Sequence, residues 1–306
     1  MESDDQVSRS YSIGRAFPAI KAVVHTHSLC ATARAQAGRQ IPAFGTPHAD
    51  CFDGLIPVTR PKKESEIREE CERNTGKVIV ERFRRIDAVI FDLDGLLVDS
   101  EPVWLRVRKE IFSRYDLPWG EEDQNALMGK NTQAWIDDGV RRLGGRLGPD
   151  EYKRAVLDGM VSAYRTGSVE LMPGAREAVD FCAGRVPVGL ASGSPPVLID
   201  AALESNGWKA VFRETLSSDS VPRGKPAPDS YLEVLRRLRI QPDKAVVVED
   251  SGSGIIAGKA AGVYVVAVPN PAFMPAPEML QAADVVLESL RLLPGHLERS
   301  LRTRGG

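Results

Sequence analysis

The last two thirds of the chain alternate between short apolar runs and amphipathic stretches. One apolar run lies within Ile86–Phe91, and others cover Pro187–Ala191, Ala245–Val248, Gly262–Val268 and Asp284–Leu287. Runs of this length, bounded by turn and polar residues, read as strands buried on both faces. Between them the apolar spacing is helical. Pro195 and Pro196 suit the first turn of one helix, and Tyr231, Leu232, Val234 and Leu235 mark another. Strand–helix alternation predicts an α/β fold, a doubly wound parallel sheet with helices on both faces.

The alternation is interrupted once. From Glu101 to Gly167 strand signals fade and three helical patterns follow one another. They run through Val103, Leu105, Val107 and Ile111, then Trp135, Ile136, Val140 and Leu143, then Tyr152, Val156, Met160 and Val161. The expected organisation is a tail at 1–15, a separate partial α/β fragment at 16–85 and a core at 86–100 and 168–292. A helical cap at 101–167 follows the first strand, and a tail occupies 293–306. Within the fragment, Ala31–Ala37 reads as a short helix ended by Gly38. The charge-rich Pro61–Arg73 reads as a solvated helix.

Charge narrows the function classes. With 27% charged residues and a net charge of −2, the chain has no basic face for nucleic acid. No apolar run reaches the ~18 residues of a membrane helix, and the acidic start Met1–Asp5 has no signal-peptide core. The four cysteines, Cys30, Cys51, Cys71 and Cys182, form no CxxC pair, which suits a reducing compartment. The expectation is a soluble, cytoplasmic protein that acts on a small molecule.

The strands end in chemistry. The first stops at Asp92-Leu93-Asp94-Gly95, the second at Ser192-Gly193-Ser194 and the third at Glu249-Asp250-Ser251, while Lys225 stands in the loop before a helix. Strand ends on one side of a parallel sheet converge, and ligands bind there. Carboxylates gathered in such a place repel one another and lose hydration. A divalent cation with oxygen ligands compensates them. Taken alone, Asp94-Gly95 is equally an ordinary turn. Gly252–Ala260 looks like a phosphate loop, but Ala260 stands where a magnesium-binding hydroxyl belongs, so it reads as a helix start.

Asp92-Leu93-Asp94-Gly95, Ser192, Lys225-Pro226 and Glu249-Asp250 occur in the order of the motifs of the haloacid dehalogenase superfamily, which residues 86–290 resemble. The resemblance implies a Mg²⁺-dependent phosphatase whose substrate is a small phosphate ester. It makes Asp92 the nucleophile and Asp94 the general acid and base, a residue that favours phosphoester chemistry over dehalogenation. It makes Ser192, Gly193 and Lys225 the phosphate-binding residues. The metal ligands would be Asp92, Asp94 through its backbone carbonyl, Glu249 and Asp250. The cap would set specificity, with Lys130 as a candidate contact. Asp99–Trp104 together with Ser192–Pro195 resembles the hexose- and hexitol-phosphate phosphatases. The alternative is a phosphosugar mutase of the β-phosphoglucomutase type. Members of that branch carry a lysine where this chain has Pro195, which favours hydrolysis.

Upstream, Ala22–Ser28, Gly45–Asp50, Ile56–Arg60 and Asn74–Glu81 resemble the class II aldolase family, and within it the L-ribulose-5-phosphate 4-epimerase branch. That resemblance implies zinc ligands at His25 and His27, two residues apart on one strand face, and an acid–base role for Asp50. It covers the middle of that family's fold. A catalytic zinc site takes three protein ligands, and the remaining histidines are His48 and His296. The expectation is a remnant without activity, with a zinc-dependent epimerase or aldolase as the alternative.

Overall fold

β1 (Ala88–Phe91) is the apolar run that follows Asp87, and each of its residues is fully buried. The structure is a computed structural model that describes residues 64–68, 75, 86–127, 132–298 and 301. The chain divides into two compact units, 1–84 and 85–306. In the first unit one short helix is described, α1 (Glu64–Arg68), with an i,i+4 pair between Arg68 and Glu64. The readings at His25, His27, Asp50 and the tail 1–15 lie outside the described residues, as does that at Lys130.

In the second unit, β1 is central to a six-stranded parallel sheet. Its companions are β4 (Val188–Ser192), β5 (Phe212–Ser217), β6 (Ala245–Glu249), β7 (Tyr264–Ala267) and β8 (Val285–Val286). The spatial order is β5-β4-β1-β6-β7-β8. The chain therefore builds outward on one side of β1 and then crosses to the other. Phe91 is opposite both Leu190 of β4 and Val248 of β6, which brings three strand ends level at the point of reversal.

Strand periodicity distributes the core. Val89 and Phe91 join one apolar cluster with Ala178, Val179 and Cys182 of α6 (Ala175–Ala183), and Ile90 joins the opposite one. That second layer holds Tyr231, Val234 and Leu235 of α8 (Asp229–Leu238) and Ile255 and Ala257 of α9 (Gly252–Ala260). The expected helix after Pro195 is α7 (Pro196–Ser205), with Pro196 in its first turn.

After β1 the chain makes a tight turn in which the Leu97 and Val98 amides both donate to the Leu93 carbonyl, at 2.9 and 3.1 Å. It continues as β2 (Val98–Asp99), which pairs antiparallel with β3 (Glu170–Leu171). Among the described residues, four cap helices lie between these strands. They are α2 (Glu101–Ser113), α3 (Glu121–Asn125), α4 (Thr132–Arg142) and α5 (Pro149–Arg165). Pro102 occupies the first turn of α2, and Glu151 Oε2 accepts the Gly148 amide at 3.1 Å at the start of α5. Aromatic edges pack the cap interior: Trp104 meets Trp135 at 6.0 Å, and Trp135 meets Tyr152 at 5.9 Å.

The cap holds a described helix, α3, beyond the three patterns read from the sequence, and other features also depart from the expectations. β5 is a strand that the apolar pattern does not announce. The segment expected as a tail begins with a helix, α11 (Leu293–Leu297), whose Leu293 and Leu297 are buried, and Leu301 bridges Ile86 beside β1. α10 (Pro277–Ala282) precedes β8.

Candidate active site

Asp92 follows β1 directly, with its amide donating to the Val248 carbonyl at 3.1 Å, so its side chain is delivered between the ends of β4 and β6. Glu249 ends β6, and Asp250 follows. Lys225 comes from the loop ahead of α8. Its buried ammonium donates to Asp92 Oδ1 at 2.5 Å, Glu249 Oε1 at 2.6 Å and the Ala191 carbonyl at 2.9 Å. All three of its protons are engaged, and it stands 5.0 Å from the Tyr231 ring centroid.

Glu249 is fully buried and fully partnered. The Tyr231 hydroxyl donates to Oε1 at 2.5 Å, and the Ser251 amide and hydroxyl donate to Oε2 at 3.1 and 3.0 Å. Ser251 also caps α9, accepting the Gly254 amide at 3.1 Å. One serine thus starts a helix and orients a carboxylate.

These contacts separate the charges. Burial opposes the Glu249 charge, but Lys225, Tyr231 and Ser251 outweigh it and hold the carboxyl below the usual glutamate value. Burial also opposes the Lys225 charge, yet Asp92 and Glu249 raise its pKa well above that of an ordinary lysine. Burial, countered by Lys225 and reinforced by Glu249 and Asp94, pushes Asp92 up to about 7. Burial, with Glu249 and Asp92 alongside, raises Asp250 well above the usual carboxylate range. Lys225 is shared between Asp92 and Glu249, so three clustered carboxyls, with Asp250 the third, face a single cation.

That excess is what a hard cation relieves. Asp92, Glu249 and Asp250 each offer an oxygen, and these atoms lie within 4.8 Å of one another. Asp250 Oδ1 is buried without a hydrogen-bond partner. An oxygen-only set with one orphaned carboxylate atom fits a magnesium-type ion.

Asp94 faces a different set. Ser100 Oγ donates to its Oδ1 at 2.7 Å, and Ser192 Oγ and Ser194 Oγ donate to its Oδ2 at 3.1 and 2.7 Å. Ser192 is fully buried and also accepts the Ser194 amide at 2.9 Å. The cavity of about 190 Å³ beside these groups is lined by Asp92, Asp94, Lys225 and Asp250, and by Gly193 and Ser194. Ser192 stands behind that wall. The cap contributes Glu101, Trp104, Arg108, Gln124, Leu127 and Trp135. Thr132 at the start of α4 reaches the core, donating to Asp219 Oδ2 at 2.8 Å.

The expected residues Asp92, Lys225, Glu249 and Asp250 meet at one point, and Asp94, Ser192 and Gly193 meet beside it. The sequence reading gave no role in the site to Ser100, Ser194, Tyr231 and Ser251. Ser194 and Ser251 carried a signal, as hydroxyls within the strand-end motifs, whereas Tyr231 showed only as an apolar helix position.

Comparison with known proteins agrees with this geometry. The N-terminal residues 11–101 match the class II aldolase and adducin N-terminal domain. The chain is 55% identical over 130 residues to the L-ribulose-5-phosphate 4-epimerase UlaF of Salmonella paratyphi B, covering 40% of this chain and 50% of that protein. It therefore spans half the length of that relative. It is 32% identical over 211 residues to hexitol phosphatase B of Escherichia coli K12, covering 68% of this chain and 94% of the phosphatase. The crystal structure of a beta-phosphoglucomutase homologue from Thermotoga maritima superposes with a TM-score of 0.59 at 28% identity, covering 70% of this chain and 99% of that one. Residues 86–262 match the haloacid dehalogenase-like hydrolases, and with the six-stranded parallel sheet, the inserted cap and the carboxylates at the strand ends, the chain belongs to that family of enzymes.

Proposed function

We propose that the chain hydrolyses a small phosphate monoester, a sugar or sugar-alcohol phosphate, in a Mg²⁺-dependent reaction. The observation that carries this reading is the imbalance of charge at the strand ends. Lys225 pairs with both Asp92 and Glu249, so one cation answers the three carboxyls of Asp92, Glu249 and Asp250 that gather around one point.

Asp92 attacks phosphorus, forming an acyl phosphate as the ester P–O bond breaks. Asp94 gives its proton to the departing alkoxide, then takes one from a water that attacks the acyl phosphate. Phosphate leaves and Asp92 is regenerated. Asp94 enters this sequence oriented by three serine hydroxyls. Gly193 and Ser194 line the wall that receives the phosphoryl oxygens, with Ser192 behind them, and Lys225 holds the Asp92 carboxylate and offsets the negative charge of the phosphoryl group beside it. Asp92, Asp250, Glu249 and the Asp94 carbonyl would hold the cation. When bound, it supplies charge neutralisation between the nucleophile and the phosphoryl oxygens.

The similarity to the beta-phosphoglucomutase homologue keeps a mutase as the second reading. Pro195 lines the cavity and offers no cation to a second phosphate, which supports hydrolysis. Phosphate release measured over a panel of hexose and hexitol phosphates, with and without Mg²⁺, separates the two, because a mutase yields an isomer instead. In the same assay Asp92→Asn is expected to lower kcat by about three orders of magnitude or more, with the circular dichroism spectrum unchanged. Full activity in that variant would end this reading.

A further inference from the structure

The cap wall of the cavity carries a built polar relay. Arg108 of α2 is only 3% exposed, and its Nη1 donates to Gln124 Oε1 at 2.7 Å. Gln124, equally buried within α3, donates through Nε2 to Glu101 Oε2 at 3.0 Å. The amide is thereby fixed in one orientation, with a cation on one side and an anion on the other. All three residues line the cavity. The guanidinium is flanked by Trp104, whose ring centroid is 4.7 Å away, and by Trp135 at 5.5 Å. Both rings also line the cavity. Among the described residues, Arg108 has no carboxylate in ion-pair contact, and its Nε has no partner.

A buried cation facing a binding cavity suggests an anionic ligand, but the charges here decide against a second anion. The carboxylates of Asp92, Asp94, Glu101 and Asp250 outnumber Arg108 and Lys225 among the described lining residues. Glu101 stands at the far end of the relay from Arg108. A carboxylate or second phosphate drawn to Arg108 would meet Glu101 as a like charge. A neutral diol suits both ends. One hydroxyl donates to Glu101, a neighbouring one accepts from Arg108, and the indole faces cover the C–H side of the carbon chain.

We infer that Glu101, Gln124 and Arg108 form a diol-reading subsite for the leaving group, which selects phosphate esters of neutral polyols and disfavours those carrying a second anionic group. This rests on the phosphatase reading above and assigns the cap's part in it. Gln124 is the positioning residue, and Glu101 and Arg108 are the contacts.

The test compares kcat/KM for three esters: a hexitol 6-phosphate, p-nitrophenyl phosphate, which has no hydroxyls, and a hexonate 6-phosphate, which adds a carboxylate. In Arg108→Met and in Glu101→Gln the ratio of hexitol phosphate to p-nitrophenyl phosphate is expected to fall by about tenfold or more. The wild type is expected to favour the hexitol ester over the hexonate ester. Glu101 is only partly buried, so Glu101→Gln carries the test alone if Arg108→Met does not fold. A ratio unchanged within about twofold in the folded variants overturns the subsite while leaving the phosphatase reading intact. A wild-type preference for the hexonate ester overturns it in favour of an anion site. Absence of phosphate release from all three esters overturns the phosphatase reading and the subsite with it.

Discussion

The carboxylate of Asp250 occupies the space where a side chain on Gly95 would begin. A Cβ at that position would overlap Asp250 Oδ2, and Gly95 also holds a φ of +80°. The residue after the Asp92-Leu93-Asp94 run is thus fixed as glycine twice, by the turn and by the carboxylate it admits. Gly95→Ala is expected to cost about 1–3 kcal/mol in the left-handed backbone region. It is also expected to push Asp250 aside and raise the Mg²⁺ concentration for half-maximal activity about tenfold or more. Metal titrations of activity, with calorimetric Mg²⁺ binding alongside, check this. An unchanged Mg²⁺ requirement in a folded variant would show that Gly95 does not set the position of Asp250.

The Tyr231 hydroxyl reaches the site through Glu249, and its ring lies beside the Lys225 ammonium. Removing its hydroxyl leaves the buried Glu249 Oε1 with Lys225 as its remaining donor. A hydrogen bond to a charged, buried acceptor contributes about 1.5–3 kcal/mol. Tyr231→Phe is expected to lose about that much stability in urea unfolding and to reduce kcat more than it raises KM. Wild-type stability in this variant would contradict the 2.5 Å bond as a structural anchor.

A hydrogen bond joins the start of α4 to the core, from Thr132 to Asp219. Thr132→Val keeps the shape and deletes the donor. The expected outcome is a three- to tenfold rise in KM, from about 1 kcal/mol of lost closure, with melting temperature within about two degrees of wild type. Steady-state kinetics and a thermal melt decide it. A collapse of the melt would make the contact structural instead.

Cys182 gives a readout of integrity independent of activity. Burial, against a weaker pull from Arg185, pushes its thiol up to about 12. The thiolate is the reactive form, so iodoacetamide at pH 8 is expected to leave Cys182 unmodified in the native protein. It should label the residue in concentrated urea, where the pKa returns to about 8.5. Raising the pH speeds native labelling about tenfold per unit. Peptide mapping by mass spectrometry follows this one residue among the cysteines, and rapid labelling of the native protein would contradict its burial.

The parts of this fold that can be read from the chain are those that a single pattern controls. β1, β4, β6 and β7 are continuous apolar runs because both of their faces are covered, and the parallel arrangement then forces the residues after them into one place. β5 escapes because it lies at the sheet edge. In Phe212-Arg213-Glu214-Thr215-Leu216-Ser217 only Phe212, Leu216 and Ser217 are buried. β2 and β3 are two residues each and exist only because they pair. Tyr231 registers in the sequence as an apolar position of α8, a pattern that records its ring and not its hydroxyl. Arg108 reads as a polar position beside Val107, yet it is buried against tryptophans that other parts of the cap supply. Partnerships across distant segments leave no local signature.

The strand pair formed by Val98–Asp99 and Glu170–Leu171 carries the chain into the helical insertion and out again side by side. Two crossings tied together by hydrogen bonds hold the entry and exit of the insertion at one place on the core. That paired junction seats Glu101, two residues beyond Asp99, and the wall that also bears Arg108 beside the strand that delivers Asp92.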